Sequence, residues 1–152
     1  MKRAQFYASV YWIIRNDVWK ILLSKRWKQA SWFIWRYQIP SWHMDWGESI
    51  FEALKREMKE ELVIDINEKD VELIYTSHRL FEDWREYFDF YFEIDKYWWK
   101  ITIWEPEKCD DLKYVSNNDF DLIKLLKHDL IALENIDNWI KFSDFMLKNN
   151  EY

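Results

Sequence analysis

The sequence predicts an α/β sandwich with a mixed β-sheet, and three observations carry that expectation. Short apolar and aromatic runs, some alternating every second residue, recur along the 152 residues, as strands do. One longer segment instead repeats its apolar residues at helical spacing. The two kinds of segment are interspersed, an order that layers helices on a sheet. The length suits a single domain over residues 1–152 and is enough to bury a real core.

Gln5 to Arg15 and Lys20 to Arg26 are apolar runs separated by a polar turn, which predicts a hairpin. A polar connection carrying Trp27, Trp32 and Trp35 leads to Gln38-Ile39-Pro40. Ser49 to Leu62 is the clearest helix. Ser49 and Glu52 form a capping box, and Phe51, Leu54, Met58 and Leu62 recur on one stripe. Val71 to Ser77, Glu86 to Ile94 and Lys100 to Trp104 read as strands, the middle one alternating through Tyr87-Phe88-Asp89-Phe90. Pro106 and the pair Asp110-Asp111 mark a loop, and Leu112 to Val115 a short strand. Phe120 to Leu133 and Asn138 to Leu147 are amphipathic and are expected to close the chain as helices.

Charge narrows the function. Lys plus Arg number 22 against 28 Asp plus Glu, a net charge of −6, which argues against nucleic acid as a partner. A single cysteine excludes an internal disulfide framework and a cysteine-built zinc site, making a cytoplasmic setting the default. No apolar run approaches the roughly 18 residues of a membrane span, so no membrane partner is expected. The N-terminal stretch ending at Arg15-Asn16-Asp17 reads as a strand and not as a signal peptide.

One composition figure is abnormal. Average usage predicts about 11 glycines in this length, yet the chain has one, Gly47, beside 12 tryptophans. Several tryptophans stand where turn chemistry wants glycine. Trp19 follows Asn16-Asp17-Val18 between two apolar runs, and Trp84 follows Glu82-Asp83. The expectation is that many of these tryptophans are glycines in the natural protein, as happens where UGA is read as glycine.

The chemistry concentrates between Ser41 and Ile64. Glu57, Glu60 and Glu61 stand at i, i+3 and i+4 on the predicted helix and share one face. That face lies roughly 110° round from the apolar stripe, so the helix can pack on a sheet with its carboxylates at the edge of the buried side. Three carboxylates this close repel each other unless a positive charge lies between them, and a hard cation such as Mg²⁺ or Mn²⁺ meets that need. The same residues also match an ordinary solvated helix face laced with i,i+4 ion pairs.

The segment resembles the signature of the Nudix (MutT-type) hydrolases, G-x5-E-x7-R-E-U-x-E-E-x-G-U, where U is aliphatic. Glu48 matches the first glutamate, Arg56-Glu57-Met58 the R-E-U, Glu60-Glu61 the paired glutamates and Ile64 the last U. Trp42 and Val63 stand in place of the two glycines. Recoding accounts for Trp42 and not for Val63. Asp17-Val18-Trp19-Lys20-Ile21-Leu22-Leu23 and Ile39-Pro40-Ser41-Trp42-His43 resemble further family elements. So, less specifically, do His78-Arg79, Asp89-Phe90 and the run Glu105 to Asp110.

The resemblance implies a Nudix-like α/β/α sandwich and a metal-dependent pyrophosphohydrolase. Its substrate would be a small-molecule nucleotide, a nucleoside diphosphate derivative, with nucleoside triphosphates leading and ADP-ribose, a nucleotide sugar or a dinucleoside polyphosphate next. A Nudix-fold module that binds a nucleotide without cleaving it is the rival. Glu57, Glu60 and Glu61 would ligate Mg²⁺ (or Mn²⁺), with the Ser41 carbonyl a further ligand. Either Glu57 or Glu60 would activate the water, and Arg56 joins them in the catalytic set through an ion pair with Glu48 that fixes loop and helix. Gly47 supports that loop, and Glu107 is the candidate remote acid. A tight bend at the position of Trp42 would strain a residue other than glycine. His43 reads as positional, His78 and Arg79 as phosphate contacts or structural groups, and Cys109 as packed. Many family members dimerise, which makes a second copy of the chain an expected partner.

Overall fold

In this computed structural model, residues 5–26, 36–98, 100–103 and 109–148 are described. Ten regular elements follow in order: β1 (Tyr7–Ile13), β2 (Ile21–Arg26), β3 (Tyr37–Gln38), β4 (Ser41–His43), α1 (Ile50–Leu62), β5 (Val71–Phe81), β6 (Glu86–Ile94), β7 (Cys109–Val115), α2 (Lys127–Asp137) and β8 (Phe142–Leu147). Five strands form one sheet in the order β4-β1-β6-β5-β8, and β3-β2-β7 form a second. The larger sheet is mixed: β1 runs parallel to β6 and β5 to β8, while β4 and β5 pair antiparallel with β1 and β6.

Alternation along β1 divides the core into two. Val10, Trp12 and Ile14 face α1, where they pack with Ala53, Leu54, Met58 and Leu62. Tyr11 and Ile13 face the other way and pack with Tyr75, Tyr91, Ala132 and Leu133. Because side chains on a strand alternate between faces, one aromatic strand serves both layers. The result is the expected α/β/α sandwich.

The helix α1 forms for local reasons. The Ser49 side chain accepts from the Glu52 amide, and Glu52 accepts from the Ser49 amide at 2.7 Å, completing the capping box. The chain leaves the helix through Val63, which takes a left-handed conformation with φ 58°.

Five expectations need correction. The first two strands form a hairpin only next to its turn, through the bridge Arg15↔Ile21 and the Leu22 amide donating to the Ile14 carbonyl at 2.9 Å, before they diverge into different sheets. Asp110 and Asp111 belong to the strand β7 and not to a loop, because the chain from Cys109 pairs with β2. Residues 100–103 form no strand, and Trp104 lies outside the described residues. Of the helix expected over 120–133 only the part from Lys127 onward is helical, as α2; residues 120–126 are turn and irregular chain, because Lys124 is left-handed at φ 54° and Leu126 is extended at ψ 143°. The segment expected as the last helix is the strand β8, paired from Thr76↔Phe142 to Phe81↔Leu147. Its apolar residues satisfy a two-residue period as well as a helical one, and the exposed flank of β5 selects the strand.

Candidate active site

The β4–α1 loop and the first three turns of α1 assemble a charged cluster around Arg56. Its guanidinium donates to Glu48 through two nitrogens, Nε to Oε2 at 3.0 Å and Nη2 to Oε1 at 2.7 Å. This bidentate pair ties the loop to the helix. The same guanidinium hydrogen-bonds Glu57 and lies 3.5 Å from both Glu60 Oε2 and Asp45 Oδ2. Arg56 holds the Glu48 carboxyl below its ordinary range, and Glu48 in turn raises the Arg56 pKa.

Placement on the helix sets how each glutamate can act. Glu57 shares the buried face with Leu54 and Met58 and is 1% exposed in its side chain, whereas Glu60 is 52% exposed. Glu61 is half-buried on the following position. Burial is the main reason that the Cys109 thiol is pushed up to about 11, which makes it a poor nucleophile. Gly47 has φ 84° in the turn before Glu48, and a Cβ there would meet nothing within 4 Å, so the backbone angle alone calls for glycine.

Four carboxylates, Asp45, Glu48, Glu57 and Glu60, thus surround one guanidinium. Among the described residues, no group of three His, Cys, Asp or Glu side chains is arranged to hold a metal ion. The donor chemistry nevertheless fits a hard divalent cation: the set is oxygen-only, anionic and in excess over its internal counter-charge. Asp45 is the member that motif spacing does not single out. Only the turn that brings its side chain back over Arg56 reveals it.

Other sequence candidates fall elsewhere. Ser41 begins β4 opposite Tyr11. Trp42 is extended and pairs with Val10, so its Cβ points to the α1 face and no tight bend occurs at this position. The demanding glycine-like conformation is at Val63 instead. His43 lies beside Tyr7 and Tyr87, with ring centroids 6.1 and 5.9 Å away, and those two tyrosines stack on each other at 5.0 Å. His78 stacks on Phe88 at 4.8 Å. Glu107, with Trp27, Trp32 and Trp35, lies outside the described residues.

Arg79 is structural. It is buried on the α2 side of the sheet, where its Nε is 2.9 Å from Asp89 Oδ2 and its Nη2 donates to Asp89 Oδ1 and the Tyr11 hydroxyl. Its guanidinium also covers the Tyr87 ring at 4.7 Å. Nearby Asp129, at the start of α2, accepts from the Ile39 amide at 2.9 Å. Burial pushes its carboxyl up to about 8.

Comparison with known proteins bears on the family and the fold. The NUDIX domain family profile matches residues 6–137. An RNA pyrophosphohydrolase from Ruthia magnifica subsp. Calyptogena magnifica is 44% identical over 57 residues, a stretch that is 38% of this chain and only 29% of that protein. A MutT NUDIX hydrolase from Burkholderia pseudomallei superposes with TM-score 0.69 at 22% identity, covering 86% of this chain and 98% of its own. The E. coli ORF135 protein gives 0.72 at 23% identity, with 88% and 90% covered. A mutator MutT protein from Bacillus halodurans gives 0.74 at 18%, with 97% and 94% covered. At these identities the structural matches establish the fold.

Proposed function

Because the chain belongs to the Nudix hydrolase family, we propose that it is a metal-dependent pyrophosphohydrolase that cleaves the phosphoric anhydride linkage of a nucleoside diphosphate derivative. A nucleoside triphosphate is the leading substrate. The observation that carries this reading is the Arg56 cluster, four carboxylates about one guanidinium on a rigidly capped helix. Structure alone has little use for so unbalanced a set, since repulsion among the acids is only partly offset by one arginine.

Glu57, Glu60 and Glu61, with the Ser41 carbonyl, would hold a divalent cation. When bound, Mg²⁺ (or Mn²⁺) neutralises charge on the phosphate oxygens and lowers the pKa of a water to make it a nucleophile. Glu60 is the better base of the two candidates, because its half-exposed carboxylate can meet water while Glu57 is buried against Arg56. Arg56, held in two places by Glu48, keeps the Glu57 carboxylate oriented. The stacked Tyr7 and Tyr87 with His43 offer a flat surface beside β4 on which a nucleobase can rest.

A second reading is favoured by the short match to an RNA pyrophosphohydrolase: the substrate would be the 5′-terminal pyrophosphate of an RNA. The net charge of −6 opposes a long RNA contact. Release of phosphate or pyrophosphate from a panel of nucleoside triphosphates, ADP-ribose, nucleotide sugars and 5′-triphosphorylated RNA, with and without Mg²⁺, tests both. Turnover of triphosphates that chelation stops supports the leading reading. Binding without turnover across the panel supports a non-catalytic module.

A further inference from the structure

Five residues other than glycine adopt left-handed backbone among the described residues: Trp19, Val63, Trp84, Lys124 and Trp139, with φ between 54° and 66°. Three of the five are tryptophan. Left-handed backbone at a residue other than glycine falls mostly to asparagine and aspartate, and a bulky side chain there is an outlier.

The turns that hold these three are types that depend on glycine. In the β1–β2 connection the Trp19 amide donates to the Asn16 carbonyl at 2.9 Å and the Asn16 amide to the Lys20 carbonyl at 3.0 Å. The β5–β6 connection repeats the pattern: the Trp84 amide donates to the Phe81 carbonyl at 3.0 Å and the Phe81 amide to the Arg85 carbonyl at 3.0 Å. Both are three-residue hairpin loops, a type I turn followed by one left-handed residue, and in both that residue is tryptophan. At the end of α2 the Trp139 amide donates to the Ile136 carbonyl and the Ile140 amide to the Asn135 carbonyl. That pair of bonds is the Schellman arrangement, whose left-handed position is the commonest site for glycine after a helix.

Packing gives no reason for an indole at any of them. Trp19, Trp84 and Trp139 are 74%, 88% and 83% exposed. Trp19 gains one guanidinium, that of Arg15, at 5.8 Å from its ring. Three different turns therefore place the least suitable side chain at the position that most needs none, in a chain with one glycine and 12 tryptophans.

We infer that residues 19, 84 and 139 are glycine in the protein as its source makes it, each encoded by a UGA codon that the source reads as glycine. The same codon at position 42 removes the indole projecting on the α1 face and gives the active-site loop the glycine of the family signature. That consequence rests on the proposed function; the inference about the three turns does not.

The gene and the native protein test it directly. UGA at codons 19, 84 and 139, with glycine in the corresponding peptides by mass spectrometry of protein from its source, is the expected result. UGG codons or tryptophan in those peptides overturn it, whatever the activity. A second measurement compares the chain as written with Trp19→Gly, Trp84→Gly and Trp139→Gly. Each substitution should raise the ratio of folded to unfolded protein about 5- to 30-fold. A fall in that ratio at all three would show that the turns favour tryptophan and overturn the inference.

Discussion

Two arginine–carboxylate clusters sit on opposite sides of the larger sheet, and they are built to different rules. Arg79 is buried and matched with one principal partner, Asp89, with the Tyr11 hydroxyl accepting from Arg79 and the Ser77 hydroxyl donating to Asp89. Arg56 is partly open to solvent and faces four carboxylates. A buried pair needs balance, because any uncompensated charge there is costly. A cluster next to water tolerates a surplus, and a surplus of oxygen anions is what a divalent cation requires. The difference separates a pair that holds the sheet together from the cluster to which the proposed function assigns the chemistry.

Substitutions should separate the two clusters in the same sense, and the largest effect falls on the open one. Glu60→Gln is expected to lower kcat about 10²- to 10⁴-fold while leaving thermal stability near that of the parent. Phosphate-release kinetics beside a melting curve checks both parts. Arg79→Ala should do the reverse, costing about 3–5 kcal/mol of stability by stranding Asp89, as urea unfolding would measure.

Asp129 gives an intermediate effect on the matched side. Its folded pKa, about 8, lies above the ordinary 3.8, so the folded chain keeps a proton that the unfolded chain gives up. The stability it contributes is full below about pH 4 and is lost as pH rises through about 8. Stability measured across that window should fall with pH, and Asp129→Asn should flatten the slope.

The smallest effect concerns the end of α1. Val63 is β-branched and left-handed at φ 58°, so Val63→Gly should stabilise by about 1 kcal/mol. In a chain of this size that is about 2–4 °C in Tm.

What the sequence made legible was local chemistry. The capping box, the helix it starts and the Glu48–Arg56 pair all follow from residues within a few turns of one another. The misread elements depend on partners far along the chain. Phe142–Leu147 becomes a strand because β5, more than 60 residues earlier, offers a flank for parallel pairing, and no short window contains that fact. The cost of the signature's missing glycines was likewise misplaced. Spacing points to Trp42, but the backbone is extended there and left-handed at Val63. Asp45 joins Arg56 through the fold of a turn and not through helical periodicity.

The central claim, that the α1 carboxylates hold a divalent ion, is tested most directly by titrating the protein with Mn²⁺ and following free ion by electron paramagnetic resonance. Saturable binding by the parent, lost in the Glu57→Gln/Glu60→Gln/Glu61→Gln variant with its circular dichroism spectrum unchanged, is the predicted result. Equal binding by parent and variant, or none by the parent, would contradict it.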